Sequence, residues 1–335
     1  MRVQLPLGAA SGVGSLPHRD ASSAARFVLE QLPSLPAIPT LPKRSPAEGL
    51  IAQGVIGIRG VTLGQYGSLA VDVRRVDPLA DVETRFEHEA FAGLRAFLEH
   101  AAAVRPAGPV KWQFVGPITL GTALMRAGVP ANVAFEVAVR AVREHVQAIH
   151  RRIAESLPGC PQVVVLDEPS LPEMMDSSFP LAPDAAIDLL SGALAAVEND
   201  AVVGVHCCGA PDWASVIAAG PSLLSLPVRS DLIPVAGYLS RFLEGGGWIA
   251  WGTVATDGPM PASTERPWRE LSSVWCDLVA AGCDPLLLRQ RAIITPMGGL
   301  GLHSEFIAAR VFRIVREISD RVGSQAVAAQ MTLGA

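Results

Sequence analysis

The chain has 335 residues, of which 50% are apolar and 18% are charged, and its formal net charge is −5. This composition is too apolar for a disordered protein, because disordered chains lack the side chains that build a core. The basic residues are scattered, and the densest pairs, 74–75 and 151–152, do not extend into a run that could neutralise several phosphates. We therefore expect no nucleic-acid partner.

Membrane insertion and secretion are also disfavoured. The longest uncharged stretch of the central region, 213–228, contains Gly, Ser and Pro and is shorter than the about 20 apolar residues of a spanning helix. The N-terminal sequence has no sustained apolar run before a cleavage site, so we expect no signal peptide. Five cysteines, an odd and sparse number, do not make a disulfide framework. We expect a cytoplasmic protein that does not bind membranes.

Short apolar runs alternate with longer helical patterns along nearly the whole chain. Several of the runs are continuously apolar, which is typical of parallel strands buried on both faces. The predicted strands are 12–15, 37–41, 110–115, 162–166, 202–206, 223–227, 248–252 and 292–295. Helical spacing of apolar residues is found in 21–32, 82–104, 132–156, 183–198, 214–219, 235–243, 269–280 and 304–322.

Eight strand-then-helix units predict an α/β fold, a (β/α)8 TIM barrel. No composition shift or linker divides the chain, so residues 1–335 are predicted to form a single barrel domain. The extra length lies mostly in an insertion between strands 2 and 3, residues 42–109. Within it, 55–76 predicts a hairpin, and a long helix follows.

In such a barrel the active site lies at the C-terminal ends of the strands. The fifth predicted strand ends in His206-Cys207-Cys208. Residues i and i+2 of a strand point to the same face, so His206 and Cys208 could bind one ion, and zinc favours this mixture of nitrogen and sulfur. The alternative is a buried cysteine beside a hydrogen-bonded histidine. Two ligands alone do not hold zinc.

The fourth predicted strand ends in Asp167-Glu168. An acidic pair at this place could orient a substrate amine or take part in proton transfer. The same pair could instead sit at a helix N-terminus, where the helix dipole favours negative charge. The residues alone leave both readings open.

Five motifs occur in barrel order: GVGSLPH (12–18), GPITL (116–120), LDEPSL (166–171), HCCG (206–209) and TPMGGLG (295–301). Together they resemble the catalytic C-terminal barrel of cobalamin-independent methionine synthase. That family lies in a superfamily with uroporphyrinogen decarboxylase and with corrinoid or coenzyme-M methyltransferases. The resemblance covers nearly the whole chain and is more specific about the superfamily than about the substrate.

The resemblance implies methyl transfer to a thiol, such as homocysteine, that a zinc ion holds as a thiolate. The zinc-binding His and first Cys of the family correspond to His206 and Cys208. The turn that holds the amino-acid moiety corresponds to Gly14 and Ser15, and the aspartate that binds the amine corresponds to Asp167. A family glutamate that also binds the amine is matched loosely by Glu48.

The chain departs from this family at several positions. Gly298 stands where the family has a third zinc ligand, a Cys, and the glutamate ligand after the sixth strand has no counterpart, Asp231 being the nearest acid. The ligand set of the zinc site is then complete only if Asp231, His303 or the substrate supplies further ligands. In place of the family's catalytic His, Asp257 is the closest polar match, and we predict it as the catalytic residue.

These observations predict a methyltransferase acting on a small thiol or amino-acid substrate, with zinc as the implied cofactor. The usual enzyme of the resembled family has two barrels and a folate donor, whereas this chain has one barrel. We therefore expect the methyl donor to be either a folate or a methylated corrinoid. Two alternatives remain open. One is a metal-free protein that binds a small molecule without methyl transfer, and the other is a decarboxylase-like lyase, which the scarcity of arginine at the strand ends disfavours.

Overall fold

The structure is a computed structural model that describes residues 4–228 and 230–333, with side chains described for 4–228 and 232–328. Six parallel strands form one sheet in the order β3-β4-β5-β6-β7-β8. A separate antiparallel hairpin, β1-β2, lies in the insertion. The strands are β1 Val61–Leu63, β2 Leu69–Val71, β3 Val110–Val115, β4 Gln162–Asp167, β5 Val202–His206, β6 Leu223–Pro227, β7 Trp248–Val254 and β8 Ala292–Pro296.

Helices connect the strands and pack against the sheet. They are α1 Ala21–Gln31, α2 Leu50–Gly54, α3 Ala92–Val104, α4 Pro117–Arg126, α5 Ala131–Ser156, α6 Pro183–Leu194, α7 Trp213–Ala218, α8 Ala236–Glu244, α9 Glu265–Ala280, α10 Pro285–Gln290 and α11 Glu305–Leu333. Short 3-10 helices cover Pro46–Glu48, Val73–Arg75, Glu89–Phe91, Leu171–Met175 and Ser230–Val235. Within the described residues, no helix is both long enough and apolar enough to cross a membrane.

Six of the eight predicted barrel strands form one parallel sheet in the described residues. The last six predicted strands are present as β3 to β8, within two residues of their predicted bounds. The first two, 12–15 and 37–41, form isolated parallel bridges instead, at Ala10–Ile294, Ser15–Thr40 and Ala37–Lys111. Proline lacks the N–H that a strand ladder needs, and Pro39 interrupts the second segment while Pro36 directly precedes it.

One face of the sheet carries an alternating set of buried side chains. Paired residues of parallel strands share a face, and Val163 on β4 pairs with Val202 on β5, as Asp167 pairs with His206. The apolar members of this set form a cluster that includes Val165, Leu223 and Ile293. Toward the carboxyl ends of the strands the set becomes polar, and there the cavity of interest opens.

The insertion differs from its prediction in two respects, the later start of its long helix and the additional helix α2. The helix predicted over 82–104 begins only at Ala92, and it is preceded by irregular chain and the 3-10 helix Glu89–Phe91. The predicted hairpin is present as β1 and β2. Helices α2, α4 and α10 were not predicted.

Candidate active site

A cavity of about 480 Å³ lies at the carboxyl ends of the strands. Its walls combine the first two segments of the chain, the insertion and the strand ends. The predicted site residues Gly14, Ser15, Glu48, Asp167, His206 and Cys208 all line it, together with others such as Gln113, Pro169, Gly299 and Leu302. The structure therefore brings together, in one place, residues far apart in the chain.

Asp257 is the exception among the predicted residues. It lies in the segment after β7, is exposed, and is not among the residues that line the cavity. The structure thus does not bring this side chain together with the other predicted site residues.

His206 is held at the end of β5 by contacts to both ring nitrogens. Its Nδ1 lies 2.9 Å from Ser225 Oγ on β6, and its Nε2 lies 3.0 Å from Cys208 Sγ. Burial lowers the pKa of His206 to about 3, with a smaller contribution from the positive charge of Lys111. The ring is therefore neutral at pH 7, which suits a hydrogen-bonding or metal-binding role better than a role as base.

The zinc site implied by the resemblance does not find enough ligands among the described side chains. No group of three or more His, Cys, Asp or Glu in the described part of the chain is placed to hold a metal ion. A Cβ on Gly298 would lie 3.3 Å from Cys208 Sγ, so Gly298 lies beside Cys208 but supplies no thiol. His303 Nε2 is engaged with the carbonyl oxygen of Thr256 at 2.8 Å, and the side chain of Asp231 lies outside the described residues.

Ser15 is fixed between the first motif and the last. Its Oγ accepts a hydrogen bond from Gly301 N at 3.2 Å, and its carbonyl oxygen accepts one from Leu300 N at 2.8 Å. A Cβ on Gly299 would overlap Ser15 Oγ, so this close approach requires glycine. The first and last motifs therefore form one wall of the cavity.

The two acidic side chains at the end of β4 lie in different surroundings. Glu168 is fully buried and accepts hydrogen bonds from Ile118 N at 2.8 Å and Thr119 N at 2.7 Å, at the N-terminus of α4. Burial raises its pKa to about 7. Asp167, in contrast, lines the cavity. Glu168 thus lies at a helix N-terminus, whereas the role of Asp167 toward a ligand stays a prediction.

Glu48 lines the cavity, but its oxygens are largely used by the chain itself. Oε2 accepts from Leu41 N at 3.1 Å and Gly93 N at 3.2 Å, and Oε1 lies 3.1 Å from a guanidinium nitrogen of Arg44. Burial raises the pKa of Glu48 to about 7 despite these contacts. Glu48 therefore ties the insertion to the cavity wall.

Sequence reasoning missed the buried Lys111 on β3. Lys111 Nζ donates to Gly12 O at 3.0 Å and to Gln113 Oε1, and Gln113 Nε2 donates to Asp167 Oδ1. The available signal was a lysine inside a strand predicted to be buried, two residues before a glutamine on the same face. Such a residue is rarely buried without a partner.

Two solved structures with this fold give a comparison. The chain aligns over 96% of its length with 99% of a B12-independent methionine synthase from Shewanella sp. W3-18-1 in complex with selenomethionine, at 14% identity and a TM-score of 0.61. It aligns over 94% of its length with 94% of a methyltransferase from Methanosarcina mazei, at 15% identity and a TM-score of 0.55. The chain shares the fold of these proteins. No protein-family model and no curated protein sequence matches it.

Proposed function

We propose that the chain is a methyltransferase that transfers a methyl group to the sulfur of a small amino-acid thiol, such as homocysteine. One observation carries the proposal: Ser15, Asp167, His206 and Cys208 line a single cavity in a fold shared with a methionine synthase that binds selenomethionine. Asp167 would bind the ligand's ammonium group, Ser15 would hold the amino-acid moiety, and the sulfur would lie beside His206 and Cys208.

In the proposed reaction, an electron pair of the ligand's sulfur forms a bond to the donor's methyl carbon. The bond between that carbon and the donor breaks, and the leaving atom keeps its electron pair. The thiol first loses its proton to the solvent, because the thiolate is the nucleophile. The donor would be a methylated folate or a methylated corrinoid.

No step is assigned to zinc, because the described side chains supply only His206 and Cys208 as donors. A thiol that no metal activates is only a few per cent ionised at pH 7. The rate should then rise about tenfold per pH unit from about pH 6 to pH 8. A rate that is flat with pH would point to a metal-held thiolate.

The test measures binding and transfer separately. Calorimetry with homocysteine and methionine should detect binding, and Asp167→Asn should weaken it by between about tenfold and a hundredfold, as for loss of a charged hydrogen bond. Cys208→Ser should slow the transfer of isotope-labelled methyl from methyltetrahydrofolate or methylcobalamin. Its matched control, Cys276→Ser, changes an exposed cysteine on α9. No binding of either amino acid would overturn the proposal.

The lack of a third described metal ligand favours one other candidate, a protein that binds the amino acid without methyl transfer. The two candidates predict the same binding results. They differ in labelled-methyl transfer, which the binding protein would not perform with either donor.

A further inference from the structure

Lys111 is fully buried within the sheet, beneath the cavity. The chain contains only two lysines, and this one pairs in register with Val163, on the face whose neighbours are Val163, Val165 and Ile293. An ammonium group in such surroundings is costly unless it is paired and hydrogen-bonded. Burial accordingly lowers the pKa of Lys111, and the charge of Asp167 opposes that effect.

The hydrogen bonds of Lys111 have a fixed direction. A lysine ammonium has three donors and no acceptor, so Gln113 must turn its oxygen, Oε1, toward Lys111 Nζ. The amide nitrogen of Gln113 must then face the other way, where it donates to Asp167 Oδ1. Lys111 thereby selects one of the two orientations of the Gln113 amide. That orientation presents a donor, not an acceptor, to Asp167.

The arrangement keeps Asp167 available to a cationic ligand. In the described part of the chain no group donates to Asp167 Oδ2, while Asp167 itself lines the cavity. Burial raises the pKa of Asp167 above its ordinary value, with a smaller contribution from the charge of Glu168, while the charge of Lys111 and the hydrogen bond from Gln113 oppose the rise.

We propose that Lys111 is a positioning residue that acts through Gln113 to hold Asp167 as the recognition group for a ligand's ammonium. This inference rests on the proposed function, because it assigns the source of selectivity for an amino acid over the same molecule without its amine. Lys111 does not line the cavity, so it acts through Gln113 and does not touch the ligand.

The test compares methionine with its amine-free analogue, 4-(methylthio)butanoate, by calorimetry. The wild-type protein should bind methionine at least about tenfold more tightly, since only methionine can pair with Asp167. Lys111→Met should remove that preference through weaker binding of methionine, with the affinity for the analogue unchanged. Lys43→Met, at the only other lysine, is the matched control and should keep the preference.

A double-mutant cycle separates this role from a purely structural one. If Lys111 acts through Gln113, then Gln113→Leu alone should lose the same preference, and the double variant should be no worse than either single variant. Equal weakening of both ligands, or independent and additive losses, would overturn the inference. Should Lys111→Met fail to fold, Gln113→Leu still tests the amine preference.

Lysine labelling supplies a readout that needs no ligand. A protein labelled with ¹⁵N only in lysine has two side-chain signals. Lys43→Arg removes one of them, which assigns the signal that remains to Lys111. That signal should shift in Asp167→Asn and not in Asp77→Asn, which changes an exposed carboxylate. Wild-type protein that binds no amino acid would overturn the proposed function. Wild-type protein that binds methionine, with an unchanged preference in Lys111→Met, would overturn this inference alone.

Discussion

The carboxyl group of Glu48 is almost completely buried and is surrounded by donors from three parts of the chain: Leu41 N, Gly93 N and Arg44. Only 2% of the residue is exposed, so burial outweighs these contacts and raises its pKa from 4.5 to about 7. Below pH 4.5 the group is protonated in both the folded and the unfolded states. Between pH 4.5 and about 7 the folded state holds more protons, so the free energy of unfolding falls as pH rises.

We expect Glu48→Gln to flatten this pH dependence. Each pKa unit is worth about 1.4 kcal/mol, so the contribution of Glu48 that is lost between pH 4.5 and 7 is on the order of 3 kcal/mol. Urea unfolding at about pH 5 and about pH 7.5 measures it. Asp167 and Glu168 keep part of the dependence in the variant, because burial raises their pKa values too. Glu83→Gln, at an exposed glutamate, should change nothing, and an unchanged slope in Glu48→Gln would contradict the expectation.

Gly298 offers a direct test of how near the cavity is to a metal site. A Cβ at this position would lie 3.3 Å from Cys208 Sγ and 3.0 Å from Thr256 Oγ1, so a cysteine would add a thiol to His206 and Cys208 once Thr256 gives way slightly. Because three protein ligands are enough for a catalytic zinc, Gly298→Cys kept under reductant should retain about one zinc per chain after dialysis. Gly258→Cys, in open space, should gain none. Equal zinc content in both variants would refute the geometry.

Helix α4 both binds Glu168 and packs closely against α5. Its first turn donates to Glu168, and its middle packs against α5 through Gly121. A Cβ on Gly121 would lie 2.7 Å from Cε1 of Phe135, a ring that is 2% exposed and cannot move aside easily. The close approach of the two helices therefore depends on this glycine.

Gly121→Ala should destabilise the protein by about 1 to 3 kcal/mol, as overpacking in a core does. The matched control is Gly237→Ala on α8, where no atom lies within 4 Å of the added Cβ. There the higher helix propensity of alanine should give a gain of up to about 1 kcal/mol. Thermal unfolding of both variants measures the difference. Similar effects of the two substitutions would contradict the close packing of α4 on α5.

The pattern of the sequence was most informative where an element is simple. Strands β4 to β8 are mostly apolar runs bounded by turn residues, so their positions could be predicted closely. Helix α4 is absent from the predicted helices, although it begins at Pro117 and proline is favoured at the first position of a helix. The motifs predicted five of the residues that line the cavity, Gly14, Ser15, Asp167, His206 and Cys208, and a looser match added Glu48. Sequence alone could not place Asp257, because its position depends on the path of a loop. It also could not predict the contact of Lys111 with Gly12, which joins segments far apart in the chain.

The contacts at the two edges of the sheet determine whether the sheet closes into a barrel. The six-stranded sheet has two edges, β3 and β8, and open edges expose unpaired N–H and C=O groups. Ser11 N donates to Ile294 O on β8 at 2.9 Å, and Ile38 N donates to Lys111 O on β3 at 2.8 Å. Leu16 N donates to Thr40 O at 2.9 Å, which joins the two covering segments. These bonds run from one edge of the sheet to the other.

Hydrogen exchange can decide whether this connection closes a barrel in solution. If it does, peptides containing Ser11, Leu16 and Ile38 should exchange nearly as slowly as those from β5 and β6, because their amides open only when the barrel opens. Gly12→Val should speed the exchange of both segments, since a Cβ on Gly12 already lies 3.2 Å from Ala37 Cβ. Gly258→Val, in open space, is the control. Fast exchange of both segments in the wild-type protein would mean an open six-stranded sheet. Ser15 would then be held only by its contacts to Leu300 and Gly301, and the cavity would lose its fixed wall.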